Sequence, residues 1–580
     1  MTRTLSQVAA FMACVVVLTM FAGLTFAADQ PNVILVITDD QGYGDVGAHG
    51  NSMINTPNLD QLHSESVRLT DFHVDPTCAP TRSALMTGRY SARVGVWHTI
   101  MGRSLLRDDE TTMANVFDSN GYATAMYGKW HLGDNYPFRP QDRGFNEVFC
   151  HGGGGVGQAP DYFGNDYFDD TYFRNADATP EPVEGYCTDV WFDNAIEFIE
   201  RRQDEPFFVY LATNAPHGPF NVAPKYSDPY KAKGVPSPMA EFYGMIENID
   251  ENMGRLRAKL DELDLADNTI LIFMTDNGTA AGVTGAANAE WKGFNDGMRG
   301  QKGSEYEGGH RVPCYFHWPE AGLTGGRDVD NLSCHVDMLP TLIELCDLTP
   351  GEHLPFEGTS LAGLLDDTVD VDWASRTMFV ESHRIDFPEK WRKSTVMTER
   401  WRLVNGKELY NIVADPSQTT DVAADNPLVV TLMTAAYEAR WESISERFDE
   451  YVRTIVGAPE QNPTLIFSHD WHANSVPWNH SQILAMPKQN GNWAIDIAET
   501  GTYRVTLRHQ PEYMDYPLQA DTARLTVGDQ VDETRNVPAN ATGLSFYVEL
   551  EAGPAMMQTW LDQEDGTSRG AFYVEVELID

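Results

Sequence analysis

Short apolar runs alternate with segments of helical periodicity between residues 30 and 365. The clearest strand-like runs cover residues 33–38, 123–127, 207–211 and 270–275. This alternation is typical of a layered α/β domain, because each parallel strand needs a crossover helix to return the chain to the same edge of the sheet. The pattern therefore predicts an α/β domain with a mostly parallel sheet over residues 28–365.

Polar residues follow immediately after each of these four runs. They are Asp39 and Asp40, then Lys129 and His131, then His217, then Asp276 and Asn277. Ligands of open α/β sheets bind outside the carboxyl ends of the strands. We therefore expect four strand ends to bring these groups to one crevice.

The sequence pattern changes twice after residue 365. Strand-like pieces at residues 377–380 and 401–404, followed by helical periodicity over residues 427–455, predict a small α+β subdomain over residues 366–458. Beyond residue 459, apolar and polar residues alternate in several runs, which predicts an appended β-sandwich over residues 459–580. A chain of 580 residues is too long for one compact core, so a division into such domains is expected.

The amino terminus carries Arg3 and then an apolar run over residues 8–26, with small residues at positions 27 and 28. This arrangement is typical of a secretory signal peptide, here residues 1–27. It predicts an exported protein, periplasmic or secreted, with no membrane attachment after cleavage. The run approaches the ~20 residues that a membrane span needs, so an uncleaved anchor helix is the alternative.

The net charge of -44 makes nucleic acid and anionic membrane surfaces poor partners, because the mean field of the protein repels both. An anionic substrate would have to be drawn in by a local basic pocket. Apart from Cys14 in the apolar run and Cys78, the cysteines lack the C-x-x-C spacing of zinc or redox sites, so we assign them structural roles.

The densest motif begins at Cys78 and runs to Arg89, with the sequence CAPTRSALMTGR. Pro80 suits the first turn of a helix and Gly88 suits its end, so Cys78 is expected at a helix N-terminus, where an anion is favoured. Arg82 falls on the same helical face. A cysteine alone is more often buried filler, and such an arginine is more often a solvated charge, so the pair gains meaning only from the whole pattern.

Cys-x-Pro-x-Arg is the formylglycine-forming motif of the type I sulfatases, and the chain resembles that family over about residues 30–420. Supporting segments, in the family's order, are residues 32–40 (NVILVITDD), 128–133 (GKWHLG), 215–217 (APH), 275–278 (TDNG) and 302–309 (KGSEYEGG). The resemblance implies an alkaline-phosphatase-like fold, with a mixed sheet flanked by helices, and hydrolysis of sulfate esters. It also implies that a maturation enzyme converts Cys78 to formylglycine.

The matching positions imply a role for each catalytic candidate. Lys129 and Arg82 would steady the formylglycine hydrate, and His131 would act as base in its collapse. His217 and Lys302 would bind the sulfate, with His217 as general acid.

The metal candidates Asp39, Asp40, Asp276 and Asn277 supply only oxygen ligands, joined by an oxygen of residue 78 and of the sulfate. Oxygen donors suit calcium, one ion per chain, whereas zinc would ask for histidine or thiolate ligands. Magnesium stays possible. Adjacent acids at a strand end also occur as helix caps or turns, but two such pairs favour a metal.

A sulfated saccharide is the expected substrate, since export, acidic composition and an appended sandwich all suit an enzyme that acts on extracellular polysaccharides. Candidates for reading its alcohol part are Trp97, His98, Arg103 and the Gly-rich loop that opens at His151. Two rivals remain, namely a phosphodiesterase or phosphonate hydrolase of the same superfamily and a catalytically dead glycan-binding protein.

Overall fold

A computed structural model of the chain describes residues 30–175, 179–283, 293–368, 373 and 376–580. The strands up to residue 334 are β1 (Asn32–Thr38), β2 (Val67–Leu69), β3 (Phe72–His73), β4 (Ala123–Gly128), β5 (Glu147–Cys150), β6 (Thr171–Arg174), β7 (Thr179–Pro182), β8 (Phe207–Ala212), β9 (Thr269–Thr275), β10 (Cys314–His317), β11 (Asp328–Val329) and β12 (Ser333–Cys334). All four strands predicted in this region are present, and the predicted ends lie within one residue of the observed ends.

Ten of these strands form one sheet, in the order β11-β2-β10-β9-β1-β8-β4-β5-β6-β7. The five central strands, β9 to β5 in that order, run parallel, whereas β10 on one side and β6 and β7 on the other pair antiparallel. The predicted mostly parallel core is therefore confirmed within a mixed sheet. β3 and β12 pair separately.

Helices cover both faces of the large sheet. They are α1 (Pro57–Glu65), α2 (Cys78–Thr87), α3 (Met113–Ser119), α4 (Cys187–Arg202), α5 (Pro224–Ala232), α6 (Met239–Glu262), α7 (Glu307–His310), α8 (Met338–Leu345) and α9 (Ala362–Leu365). Because successive side chains of a strand point to opposite faces, Val33, Leu35 and Ile37 enter a core shared with α2, α3 and α8. Ile34 and Val36 enter a second core shared with α1, α4 and α6.

An antiparallel sheet follows, made of β13 (Met378–Glu381), β14 (Ser394–Met397), β15 (Trp401–Val404) and β16 (Glu408–Asn411), and helix α10 (Pro427–Ser445) packs on it. The predicted helical segment over residues 427–455 was too long. The helix ends at Ser445, and residues Thr454–Val456 form β17, which pairs in parallel with a strand of the C-terminal sheets. That pairing is non-local, so helical periodicity could not reveal it.

The C-terminal region consists of two sheets that share one hydrophobic core. Besides β17, their elements are β18 (Thr464–Phe467), α11 (His480–Leu484), β19 (Asn492–Ile497), β20 (Gly501–Arg508), β21 (Thr522–Val527), β22 (Val531–Asn536), β23 (Leu544–Leu550), β24 (Gly553–Asp562), β25 (Ser568–Arg569) and β26 (Tyr573–Leu578). One sheet has the order β17-β19-β24-β21-β22, with β25 on β24, and the other β18-β26-β20-β23. The predicted sandwich is confirmed, although its first strand begins before residue 459.

Within the described ranges, no helix is both long enough and apolar enough to cross a membrane. The predicted signal peptide, residues 1–27, lies outside those ranges. The cysteines assigned structural roles are free thiols in the structure, namely Cys150, Cys187, Cys314, Cys334 and Cys346.

Candidate active site at the carboxyl ends of the parallel strands

A cluster of four oxygen-bearing side chains lies where β1 and β9 end; we call Asp39, Asp40, Asp276 and Asn277 the carboxylate cluster. The two strands are neighbours in register, with Thr38 opposite Thr275, so the residues that follow them are brought together. The Asp40 backbone N–H donates to Asp276 Oδ1 over 3.0 Å, and Asn277 Nδ2 donates to Asp40 Oδ1 over 2.9 Å. All four are buried, and they lie together at the strand ends, where the sequence pattern predicted a common crevice.

Each carboxylate of the cluster is paired with a different predicted cation. Lys129 Nζ lies 2.6 Å from Asp39 Oδ2, and Lys302 Nζ lies 2.6 Å from Asp40 Oδ1. The Arg82 guanidinium donates twice to Asp276 Oδ2, over 2.8 and 3.1 Å. The structure thus brings all the predicted cations to the predicted ligands.

Two oxygens of the cluster stay without a hydrogen-bond donor among the described residues, although both are buried: Asp39 Oδ1 and Asn277 Oδ1. Burial raises the pKa of Asp39 well above its usual range, and neighbouring Asp276 raises it further against the effect of Lys129. Burial would raise the pKa of Asp40 as well, but Lys302 and His217 hold it below its usual value. Buried lone pairs without donors fit a bound cation, and an all-oxygen donor set fits a hard one.

Cys78 is the first residue of α2 and is buried against this cluster. Ligand atoms of Asp39, Cys78 and Asp276 all lie within 4.8 Å of one another. As predicted, Gly88 ends the helix in the left-handed region, with φ 66° and its N–H on the Ala84 carbonyl. Burial raises the pKa of the Cys78 thiol, which keeps it protonated near neutral pH. A protonated thiol is a poor nucleophile.

The two ring nitrogens of His131 differ in their hydrogen bonding. Its Nε2 donates to the Thr99 carbonyl over 2.8 Å, while Nδ1 is buried without a partner among the described residues. Burial, and then Lys129, lower the pKa of His131 well below its usual value. The ring is therefore neutral, with a lone pair on Nδ1, which is the state a general base needs.

His217 lies beside the carboxylate cluster, with Nε2 3.8 Å from Asp40 Oδ2. Its Nδ1 donates to the Gly218 carbonyl over 2.7 Å, so the neutral ring carries no proton on Nε2. Burial and the Lys302 charge lower its pKa to about 3. To act as an acid, His217 would have to take up a proton when an anion binds and offsets these effects.

A second buried cluster lies around Arg402 of β15; its members are Asp71, His73, Glu307, His310 and Arg402, and we call it the Arg402 cluster. Arg402 donates to Glu307 Oε1 over 2.7 Å and to Asp71 Oδ1 over 3.0 Å. His73 contacts Asp71 through Nε2 and His310 through Nδ1, both over 2.9 Å. His73, Glu307 and His310 could also surround a metal, but Arg402 already supplies a cation to the carboxylates.

The sequence analysis did not predict that the Gly-rich loop, residues 151–155, packs against the catalytic histidines. A Cβ on Gly154 would lie 2.1 Å from the His131 ring, and one on Gly155 would lie 3.1 Å from His217 Nδ1. The loop therefore packs against both predicted catalytic histidines; a side chain at residue 154 would displace the His131 ring, and one at residue 155 would crowd His217. The run of adjacent glycines was the one sequence signal that could have indicated this close packing.

Two of the four candidates for substrate contact have structural roles instead. The Trp97 Nε1 donates to the Ile385 carbonyl, and Arg103 is buried beside Trp97 and bonded to Asp386. His98 lines a pocket, considered below. A further histidine that the sequence did not single out, His469, comes from the C-terminal region, with its ring centroid 6.4 Å from that of His131.

Comparison with known proteins gives a consistent result. The sulfatase family model matches residues 31–348. The chain is 31% identical to mouse (Mus musculus) arylsulfatase G, over 58% of this chain and 69% of that one. It is 30% identical to human (Homo sapiens) N-acetylgalactosamine-6-sulfatase, over 58% and 66% of the two chains.

Solved structures share the fold. The crystal structure of Ps i-CgsB in complex with k-i-k-neocarrahexaose aligns with a TM-score of 0.64 and 27% identity, over 73% of this chain and 96% of that one. The phosphonate monoester hydrolase of Agrobacterium radiobacter aligns with a TM-score of 0.50 and 20% identity, over 72% and 96%. The second likeness concerns the fold alone.

Proposed function

Because the chain belongs to the sulfatase family and is a sulfuric ester hydrolase, we propose that it removes sulfate from saccharides, with formylglycine at position 78 and one bound calcium ion. The family resemblance seen in the Cys-x-Pro-x-Arg motif is thereby confirmed. The observation that carries the proposal is the position of Cys78, at a helix N-terminus within 4.8 Å of two ligand carboxylates.

Formylglycine at position 78 would supply a nucleophile at a buried position where the cysteine thiol is a poor one. The unmodified thiol is protonated, and attack of its sulfur on a sulfate ester would give a dead-end product. A formylglycine hydrate supplies two hydroxyls on one carbon, so that one can displace the alcohol from sulfur and the other can release sulfate by collapse to the aldehyde. Since Cys78 is only 2% exposed, a maturation enzyme would reach it before the chain folds.

The residues around position 78 have separate roles in binding and proton transfer. Arg82 and Lys129, both fully buried, hold residue 78 and its charge in place. His131 accepts a proton on Nδ1, its only unpartnered ring nitrogen, when sulfate is released. His217 and Lys302 bind the sulfate, and His217 delivers a proton to the leaving oxygen once the anion has raised its pKa.

Asp39, Asp40, Asp276, Asn277 and residue 78 would hold the calcium. The two oxygens without donors, Asp39 Oδ1 and Asn277 Oδ1, support this set. A bound calcium would polarise the sulfate and offset its charge. With calcium offsetting the charge of Asp40, Lys302 would be available to bind the anionic ester, while Lys129 would stay beside residue 78.

A saccharide substrate is supported by the relatives. One is named for a sulfated amino sugar, and the structure of Ps i-CgsB holds a carrahexaose. We also propose export by the predicted signal peptide and a division into domains at residues 28–365, 366–458 and 459–580, with β17 joining the last. An exported enzyme meets large polysaccharides outside the cytoplasm.

A comparison of kcat/KM on defined sulfated oligosaccharides and on an aryl sulfate tests the substrate class. We expect at least one galactose-, glucosamine-, fucose- or uronate-based sulfate to exceed the aryl ester. If the aryl ester matches or exceeds every sugar, the saccharide assignment is wrong. A phosphonate or phosphodiester tested in parallel addresses the rival hydrolase, and no turnover of any ester would favour the glycan-binding protein.

A further inference from the structure

A polar pocket of about 450 Å³ lies beside the catalytic crevice and is built from three distant parts of the chain. Its lining includes His98, Arg384, Asn474, Trp478, Gln482 and Gln489. The sulfatase family model ends at residue 348, so the lining lies beyond it except for His98, Ile100 and Met101. Most of the pocket is therefore built by the part of the chain that the family model does not match.

Two observations relate the pocket to the reacting groups, one along the sequence and one through space. His98 immediately precedes Thr99, whose carbonyl accepts the hydrogen bond from His131. On the other side, Arg384 Nη1 lies 3.8 Å from the position that a Cβ would take on Gly303, the neighbour of Lys302. A saccharide whose sulfate lies between His131 and Lys302 would extend within reach of this pocket.

The Arg384 guanidinium is exposed and has no hydrogen-bond or ion-pair partner among the described residues. Its backbone, in contrast, is fixed: the Arg384 N–H donates to the Trp97 carbonyl over 3.2 Å. Two residues later, Asp386 accepts bonds from Arg103 over 3.0 Å and from His472 over 2.9 Å. Arg384 also has φ 47°, a left-handed conformation that costs energy in a non-glycine residue.

An unpaired arginine is a notable feature in a chain with 85 acidic and 41 basic side chains. A free guanidinium alone is no sign of a site, but Arg384 also has a fixed backbone and lines a pocket beside the loop of Lys302, so it is placed to bind an anionic ligand. Guanidinium groups bind sulfate and carboxylate through two parallel hydrogen bonds.

Another part of the lining is suited to a sugar ring. Trp478 is half-buried, and its backbone is held at both ends, since its N–H donates to Gln482 Oε1 and its carbonyl accepts from Ala159, both over 2.9 Å. Side-chain amides of Asn474 and Gln489 line the same pocket. A fixed aromatic ring with a few polar groups is the usual composition of a saccharide site.

We infer that this pocket binds a second anionic group of the substrate, a sulfate or a carboxylate, on the saccharide unit next to the one that is desulfated. The inference deepens the proposed function and rests on it. The substrate class becomes a saccharide with at least two anionic groups on neighbouring units, and Arg384 becomes a specificity residue contributed from outside the family's matched segment.

The test compares wild type, Arg384→Ala and Arg384→Lys on three substrates: an aryl sulfate, a monosulfated oligosaccharide, and the same oligosaccharide with a second sulfate or a uronate carboxylate. Arg384→Ala should lower kcat/KM for the doubly charged substrate by about 10- to 100-fold, the scale of one charged hydrogen-bonded contact. Arg384→Lys should lose less, and the aryl sulfate should be unaffected. The third substrate, prepared once with the second sulfate and once with the carboxylate, shows which anionic group is preferred.

Arg400→Ala is the matched control, because its guanidinium also lacks a partner among the described residues but lies in the turn before β15. It should leave all three substrates unchanged. Equal losses on all substrates for Arg384→Ala, or no loss on any, would overturn the inference. Melting temperatures of the variants distinguish a lost contact from a lost fold.

Calorimetric titration separates this inference from the proposed reaction. Cys78→Ala cannot be modified, so the doubly charged oligosaccharide should bind to it without turnover and more tightly than to Cys78→Ala/Arg384→Ala. If the wild type hydrolyses no sulfate ester but this difference is seen, the reaction assignment fails and the anion pocket stands. If hydrolysis is seen but the two variants bind equally, only the pocket fails.

Discussion

The carboxylate cluster and the Arg402 cluster look alike in composition but differ in what they leave unsatisfied. Both are buried, both group acidic side chains from distant parts of the chain, and both have ligand atoms close enough to surround a metal. In the Arg402 cluster, one guanidinium bridges Glu307 and Asp71, and the histidine nitrogens have partners. Its one oxygen without a hydrogen bond among the described residues, Glu307 Oε2, lies 3.9 Å from Arg311 Nη1. In the carboxylate cluster, two buried oxygens, Asp39 Oδ1 and Asn277 Oδ1, lack a hydrogen-bond donor.

The difference teaches that proximity of ligand atoms is a weak sign of a metal site. Free, buried lone pairs are a stronger one, because a buried polar atom without a partner costs energy until a ligand satisfies it. We therefore expect mutations in the carboxylate cluster to change calcium content and catalysis, and mutations in the Arg402 cluster to change stability.

Replacement of a calcium ligand should have the largest effect. Asp276→Ala removes a carboxylate that also anchors Arg82, so activity should fall by at least about 10³-fold, the upper range for loss of one preorganised electrostatic contact. Metal analysis after dialysis should find calcium near one per chain in the wild type and none in the variant. Glu307→Gln, in the other cluster, is the control and should keep its calcium. Two bound zinc ions would contradict the assignment.

Removal of Arg402, the cation of the Arg402 cluster, should lower stability rather than calcium content. Arg402→Met leaves Glu307 and Asp71 buried without their shared partner, which should cost about 3–5 kcal/mol of unfolding free energy. Denaturant titration measures the loss, and calcium content should stay the same. A variant that unfolds like the wild type but has lost its calcium would mean that the Arg402 cluster, too, supports the metal.

Loss of Lys302, a cation at the carboxylate cluster, should lower activity rather than stability. Lys302→Ala should reduce kcat by about 10²–10³-fold, or 2.7–4 kcal/mol, because a preorganised charge near the sulfate is lost. The matched control is Lys393→Ala, which removes a lysine that donates to the Gly303 carbonyl in the same loop but contacts no carboxylate of the cluster. If both lysine variants lose equal activity, the effect belongs to the loop and not to the charge.

The smallest expected effect is a change in pH dependence at the Arg402 cluster. Burial, and then His73, lower the pKa of His310 from 6.5 to about 3. The folded protein therefore keeps His310 neutral while the unfolded chain takes up a proton below pH 6.5, so stability is lost as the pH falls. His310→Gln should reduce that loss by about 2 kcal/mol between about pH 6.5 and about pH 5. If the unfolding free energy of variant and wild type changes equally with pH, His310 does not titrate in this way.

Much of the fold could be predicted because the central strands are buried on both faces. Parallel strands of that kind appear as continuous apolar runs, which is how β1, β4, β8 and β9 were predicted. Their polar successors could be predicted as a site because neighbouring parallel strands end at the same edge. β17 could not, since its only signal is a partner strand about 40 residues away.

The remaining parts of the site depend on contacts between loops. Arg384, His469 and the Arg402 cluster reach their positions through packing between regions that are far apart in sequence, and no local pattern encodes such packing. The role of Arg103 was open for the same reason: its carboxylate partner, Asp386, lies 283 residues away. Motif spacing identifies residues on strand ends and helix starts, whereas side chains on distant loops need the folded chain.

The central claim, that residue 78 is a formylglycine nucleophile, is tested most directly by mass spectrometry of the peptide that contains it. Protein produced with and without a maturation enzyme should differ at residue 78, and kcat per chain on a sulfate ester should rise in proportion to the fraction found as aldehyde or hydrate. Full activity in a preparation whose Cys78 is entirely unmodified would contradict the account.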